Sequence, residues 1–334
     1  MYSHPTPQNL PFSRRVMLQR SAMGFGAIAL ANLLCNDSAF GKAPIADHAR
    51  IPGFTPRAKR VIFLFMHGGP SHVDTFDYKP LLIRDSGKPL PFEKPRIQFA
   101  QTGNLLRSPW TFRQYGQSGA WVSDLFPEVG KLADDLCFIK SMHGSNEAHG
   151  GALLKIHTGS DTFVRPSKGA WISYGLGTEN SNLPSFVTIN PTLGHGGVQN
   201  FGSAFLPAEH QATRIGSSGA SMNGATIANL SAPKAKRLDQ RQQLNFVQQL
   251  NQHQLQKNPA LGELEARIES LELAFRMQME APELLDLSGE SESTQRLYGI
   301  DQAPTANFGR QCLLARRLSE AGVRFVQVSH AYWD

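Results

Sequence analysis

Apolar positions along the chain gather into a few short continuous runs, separated by long polar or glycine-rich stretches. Arg60-Val61-Ile62-Phe63-Leu64-Phe65-Met66 is one such run, rich in β-formers, and it stops at the sharp turn His67-Gly68-Gly69-Pro70. An unbroken apolar run of this length predicts a strand buried on both faces, as in a parallel sheet. Leu136-Cys137-Phe138-Ile139-Lys140, Pro184-Ser185-Phe186-Val187-Thr188-Ile189 and Val323-Arg324-Phe325-Val326-Gln327-Val328 predict three further strands. Helices are expected over 126–135, over 147–157 with Gly159 as C-terminal cap, over 169–176, and over 307–321 ending near Gly322. Residues 78–120, rich in Pro, Gly and Arg, predict an irregular surface excursion, and the Gly- and Ser-rich 191–225 a loop. From 231 to 280 the text turns dense in Gln, Leu, Glu, Lys and Arg, with one break at Asn258-Pro259. Two helices there, about 232–256 and 260–280, form a hairpin that reads as a lid over a site or as a packed helical layer or dimer face; the second is favoured. Strands alternating with helices give the fold class: α/β, a mostly parallel central sheet flanked by helices, with a helical hairpin insertion.

The first 43 residues follow a different logic. Ser13-Arg14-Arg15-Val16-Met17-Leu18-Gln19 precedes an uncharged stretch from Ser21 to Asn36 rich in Ala, Gly and Leu, and Gly41-Lys42-Ala43 supplies small residues at the −3 and −1 positions of a cleavage site. Adjacent arginines before such a run predict a twin-arginine signal peptide over 1–43, hence an exported, periplasmic or extracytoplasmic protein handled by the twin-arginine machinery. The apolar run is short and glycine-containing, so no stable membrane span is expected after cleavage; an uncleaved anchor is the alternative. A lipoprotein reading through Cys35 is weaker, because bulky Leu34 precedes it. The remaining 44–334 is read as one α/β domain.

Composition narrows the classes. A chain of 334 residues, 40% hydrophobic and 18% charged, buries a sizeable core, which excludes a disulfide-stapled scaffold and a wholly disordered chain. Half of the surplus charge of +6 lies in residues 1–43, where Arg14, Arg15, Arg20 and Lys42 face Asp37 alone. What remains is too small for a concentrated basic face, so no nucleic-acid partner is expected. Only Cys137 and Cys312 survive cleavage, which permits one disulfide and gives no metal spacing.

In open α/β sheets ligands bind beyond the carboxyl ends of the strands. The first predicted strand is followed by His67, Ser71, His72, Asp74 and Asp77, and the second by His143, Ser145, Asn146, Glu147 and His149. After the third come Asn190 and His195, and after the fourth Ser329, His330 and Asp334. Imidazoles and carboxylates at several strand ends suit a divalent cation, Zn²⁺ or Mn²⁺/Ca²⁺. Each residue alone has a plainer reading: a solvated histidine, or an aspartate capping a turn. Arg165 and Lys168 are candidate contacts for an anion, with solvated loop charges the favoured reading. Trp110, Trp121, Trp171 and Phe186 read as core or loop anchors. No His-Glu-x-x-His occurs, which argues against a metalloprotease.

Ser145–Gly159, SNEAHGGALLKIHTG, resembles the nucleophile helix of the alkaline phosphatase and sulfatase superfamily. Those enzymes place a nucleophile at a helix start, ten residues before the Gly of a Thr-Gly pair. Here that count lands on His149, where the superfamily has Ser, Thr or Cys. The resemblance thus implies His149 as nucleophile or metal ligand, with Ser145 as the fallback hydroxyl. Val323–Asp334 is similar to the late strand and turn that give an Asp and then a His to a metal, so Asp334 falls on the aspartate. His67-Gly68 stands where a metal-binding Asp is usual, with Asp74 or Asp77 compensating and His330 a further ligand. More narrowly, Phe65–Asp77, Gly119–Pro127, Tyr174–Asn180, Val323–Asp334 and the twin-arginine start resemble an exported bacterial family catalogued as domain of unknown function 1501, within that superfamily. The resemblance implies a phosphatase/sulfatase-like fold and a metal-dependent hydrolase of small phosphate or sulfate esters. It also implies a chain incomplete at its C-terminus that lacks half of the metal site. The alternative is a non-catalytic exported binding or scaffold protein keeping the same fold.

Overall fold

The computed structural model describes residues 57–93, 101–223, 227, 237–257, 262–330 and 333, so the expected signal peptide and Asp334 lie outside the described residues. The chain divides into two compact units, one formed by residues 1–67 with 148–331 and the other by 68–147 with 332–334.

The larger unit carries a parallel sheet. Strand β1 (Val61–Met66) is followed, in the smaller unit, by β2 (Phe112–Tyr115) and β3 (Ala120–Ser123), and then in the larger unit by β4 (Phe186–Ile189), β5 (Thr213–Ile215) and β6 (Phe325–His330). The described sheet of four runs β1-β6-β4-β5, every pair parallel. Register sets Phe325 between Val61 and Phe186 in one row, and Gln327 between Phe63 and Thr188 in another. Its longer helices are α1 (His149–Thr158), α2 (Lys168–Leu176), α3 (Arg237–Lys257), α4 (Gly262–Leu285) and α5 (Ala303–Glu320). The α/β class with a mostly parallel sheet flanked by helices, expected from the alternation of runs, is therefore what forms.

Side chains alternate across a strand, so each face buries its own set. On one face Val187, Ile189, Ile215, Val326 and Val328 pack with Leu314, Ala315 and Leu318 of α5 and with Met277 and Ala281 of α4. On the other, Phe186 and Phe325 pack with Ile172 of α2, Phe201 and Ala212, with Val61 and Phe63 at the margin. Helix α2 starts where Ser167 accepts a hydrogen bond from the Ala170 N–H, and α1 stops at Gly159, whose φ of 79° is the left-handed cap expected from the sequence.

Several expectations are corrected. β1 is not buried on both faces: it is the last strand of the described sheet, and Ile62 and Leu64 stay 40% and 52% exposed. α5 covers the central strands on that side, which leaves an edge strand half covered. Residues 136–140 form no strand. Phe138 does pack on Phe76, 5.4 Å between ring centroids, but Leu136 and Ile139 are exposed. An apolar run without a neighbouring strand to pair with has no ladder to complete. The expected helix over 126–135 is reduced to short turns at Pro127–Gly130 and Ala133–Asp135. The expected loop over 191–225 contains β5, too short to give a period. Helix α5 begins four residues before the expected start, with Pro304 inside its first turn, where a missing N–H costs nothing.

The two hairpin helices run over Arg237–Lys257 and Gly262–Leu285, while the expected start at 232 and the break at Asn258-Pro259 lie outside the described residues. Met277 and Ala281 of α4 lie in the core, and Glu280 accepts hydrogen bonds from the side-chain amides of Asn180 and Asn182. α3 attaches to α4 through Arg241 and Gln248, both donating to Glu272. Of the two readings, the packed layer fits α4. No described helix is long and apolar enough to cross a membrane.

The smaller unit holds the antiparallel ribbon β2–β3 in the region expected to be irregular. Asp134 closes its turn, accepting from the Gln117 and Ser118 N–H groups at 2.8 Å each, and these bonds hold its carboxyl below the usual range. Trp121 stacks on Tyr78 at 4.4 Å between centroids, and Phe126 stacks on Trp333 at 5.9 Å. Trp110, of the core and loop alternatives, lies in a loop, where it borders a cleft of about 210 Å³ with Tyr78, Lys79 and Phe112. Cys137 and Cys312 are free thiols, and burial pushes Cys312 up to about 11.

Helix α2 approaches β4 so closely at Gly169 that an added Cβ would sit 2.4 Å from the Phe186 ring. Gly169→Ala is expected to lower stability by about 1–3 kcal/mol despite the better helix propensity of Ala, measured by urea unfolding.

Candidate functional site

Strand alternation also decides which strand-end histidines meet. Phe63 and Phe65 of β1 point toward α1, and His67 is the next residue of that alternation. The His67 N–H donates to the His330 carbonyl at 2.7 Å, which carries the ladder one residue past the strand. His67 Nε2 then lies 3.4 Å from His195 Nδ1. His195 follows β4 in a tight loop. It has φ 21°, with Gly196 and Gly197 behind it also in the left-handed region, and its carbonyl accepts from the buried Asn200 amide at 3.0 Å. His149, the first residue of α1, lies face to face with His195, 5.2 Å between centroids and 22° between planes. Imidazoles from three separate segments therefore assemble around His195.

This trio stands at the start of a helix whose first N–H groups have no intrahelical partner and whose dipole favours an anion. Ala148 precedes α1 with no side-chain cap, and an added Cβ at Gly150 would meet nothing within 4 Å. The sequence named His67, His149 and His195 individually; their meeting depends on the order β1-β6-β4 of the sheet, which sequence alone does not give.

The other expected site residues fall elsewhere. His330 is still inside β6, in register with Met66, and its ring stands edge-on to Phe308 of α5, 4.7 Å between centroids, on the face opposite to Phe63. Asp74, Asp77 and Ser145 belong to the smaller unit. Asp77 is nearly buried, its carboxylate 2.7 Å from Lys79 Nζ and 3.9 Å from His72 Nε2. Asp74 lies in the helical turn His72–Thr75, and Ser145 is exposed in a loop ahead of α1.

A divalent metal can be tested against the donors present. Two imidazole nitrogens on one tetrahedral Zn²⁺, at about 2.0–2.1 Å each, stand roughly 3.3 Å apart, close to what His67 and His195 show. The third imidazole, however, presents its face to His195 rather than converging on the same point. Among the described residues no group of three or more His, Cys, Asp or Glu is placed to hold an ion. The described donors do not make a metal site.

Behind the trio lie two basic groups, one that the sequence misplaced and one that it did not single out. Lys168, read as a solvated loop charge, is 4% exposed. It is the first residue of α2, and the packing of that helix carries its stem inward. Its Nζ sits 3.1 Å over the Phe63 ring and 3.4 Å from the Ile156 carbonyl, and burial lowers its pKa to about 7. His157, in the last turn of α1, is 1% exposed, edge-on to Phe65 at 4.6 Å between centroids. Burial holds its imidazole well below the ordinary range, and the charges of Lys168 and His67 add to this, against a bond to the Leu153 carbonyl. A histidine near a helix C-terminus ordinarily signals a dipole contact, so nothing in the sequence marks it as core. Arg165 is half-buried, with its guanidinium 5.8 Å over Phe163.

A family model described as Protein of unknown function (DUF1501) matches residues 58–334. No curated protein matches the chain, and no solved structure does.

His195→Ala is expected to shift the ring proton resonances of both His67 and His149, which lose a neighbouring imidazole, while those of His330 stay in place. Histidine-selective NMR of the wild type and the variant checks it.

Proposed function

The chain belongs to the DUF1501 family, and from that membership we propose that it is an exported hydrolase of small phosphate or sulfate esters, on a fold of the alkaline phosphatase and sulfatase type. The observation that carries this reading is the assembly of His67, His195 and His149 around the first residue of α1. A parallel sheet with its reactive groups beyond the strand ends supports it.

In this reading the anionic group of the ester rests against the first turn of α1, held by its N–H groups. A ring nitrogen of His149 attacks the phosphorus or sulfur, and the bond to the ester oxygen breaks. The departing oxygen takes a proton from the hydrogen-bonded His67–His195 pair. Water then cleaves the covalent nitrogen adduct and returns its proton to the same pair. Export follows the twin-arginine route, with 1–43 as the signal.

A second reading, an exported binding protein without turnover, is favoured by the imidazole in place of a hydroxyl or thiol at His149 and by the lack of a three-ligand metal group among the described residues.

Aryl phosphates and aryl sulfates offered to the full chain are expected to be turned over, and His149→Ala to lose roughly 100-fold or more in kcat/KM. Equal turnover by both proteins removes His149 from the mechanism. Binding of inorganic phosphate with no turnover of any ester selects the second reading.

A further inference from the structure

We propose that Lys168 and His157 form a proton-operated latch between α1, α2 and β1, closed while both side chains are neutral and released as they take up protons. The two groups come from different helices and converge on the same strand side chains. His157 stands edge-on to Phe63 and Phe65, with ring centroids 5.8 and 4.6 Å apart, and Lys168 covers the face of Phe63. Lys168 also bridges the helices, donating to the Ile156 carbonyl in the last turn of α1 from the first position of α2. A neutral amine satisfies this geometry well. A charged one must bear burial and the positive end of the α2 dipole, with a single carbonyl and a ring face in compensation.

The groups that act on His157 by charge are Lys168 from α2 and His67 from the end of β1, all basic. On Lys168 burial alone acts. Protonation of either therefore raises the cost of protonating its neighbour, and no carboxylate is among the groups that act on them. His149 opens the same helix that His157 closes, so the latch grips the end of α1 opposite to the residue that meets His195. The latch does not depend on the hydrolase reading.

The sign follows from linkage. Both bases hold fewer protons folded than unfolded, so stability falls as pH falls. For Lys168 the loss runs from its free value of 10.5 down to about 7, and below that both states carry the proton. For His157 it begins near 6.5 and continues downward. The two residues thus govern successive pH windows.

Urea unfolding of the full chain is to be followed from pH 9 to pH 5 in wild type, Lys168→Met and His157→Leu. The wild-type midpoint is expected to fall steadily on acidification. Lys168→Met is expected to flatten the curve between pH 9 and 7, with a folded-to-unfolded ratio at pH 7 raised on the order of 100-fold. His157→Leu is expected to flatten it below pH 6.5. A Lys168→Met curve parallel to the wild type between pH 9 and 7 overturns the latch. Should either variant fail to fold, hydrogen exchange of the wild type decides, corrected for intrinsic rates. Protection lost at pH 7 relative to pH 9 in α1 and α2 but kept in α5 supports the latch, and protection unchanged or lost uniformly overturns it.

Discussion

Everything in the larger unit hangs on the alternation of side chains along four parallel strands held in fixed register. β6 shows the constraint most plainly. Val326 and Val328 face α5, while Phe325 faces α2 and the row that includes Phe63. Slipping β6 by one residue against β1 and β4 would exchange the two faces, bringing valines under the aromatic layer and Phe325 under α5. Because both faces are buried over the central strands, that slip costs two cores at once. The positions of the strand-end histidines are by-products of the same rule. An odd number of steps from Phe63 or an even one decides on which side of the sheet a ring emerges, and His67 and His330 emerge on opposite sides.

The polarity of the α1–α2 face is graded along the strands. Its lowest row is Val61, Phe325 and Phe186; the next is Phe63, Gln327 and Thr188. The carboxyl edge ends in His67 and His195. Burying Gln327 and Thr188 completely, as this unit does, spends stability that an apolar pair would have saved. Placing Lys168 and His157 over the same row extends the pattern: ionisable groups accumulate under the rim where the imidazole trio stands.

How much of this was legible in the sequence depends on what each signal reports. Strands β1, β4 and β6 and helices α1, α2 and α5 were readable because an apolar run or a glycine cap records the local environment directly, as at Gly159. The run at 136–140 has the same composition yet forms no strand, because pairing is a property of the neighbour and not of the run. The ribbon β2–β3 was hidden by its Arg and Gly content, although its turn is fixed by Asp134 from seventeen residues away. His67, His149 and His195 were each visible as residues after strands or at a helix start. Their common meeting point was not, since strand order is a tertiary fact. Lys168 was misjudged for the same reason: exposure of a lysine is decided by the helix on which it rides.

The hairpin of α3 and α4 has a consequence for how such folds grow. Seen in the sequence it is an insertion between β5 and β6, the kind of segment that is added to a finished core and can be removed again. Its second helix contradicts that history. With Met277 and Ala281 among the valines of the sheet and Glu280 gripping Asn180 and Asn182, α4 is masonry rather than ornament. A descendant trimmed of the whole hairpin would be left with an open wall, whereas one trimmed of α3 alone would keep its interior closed.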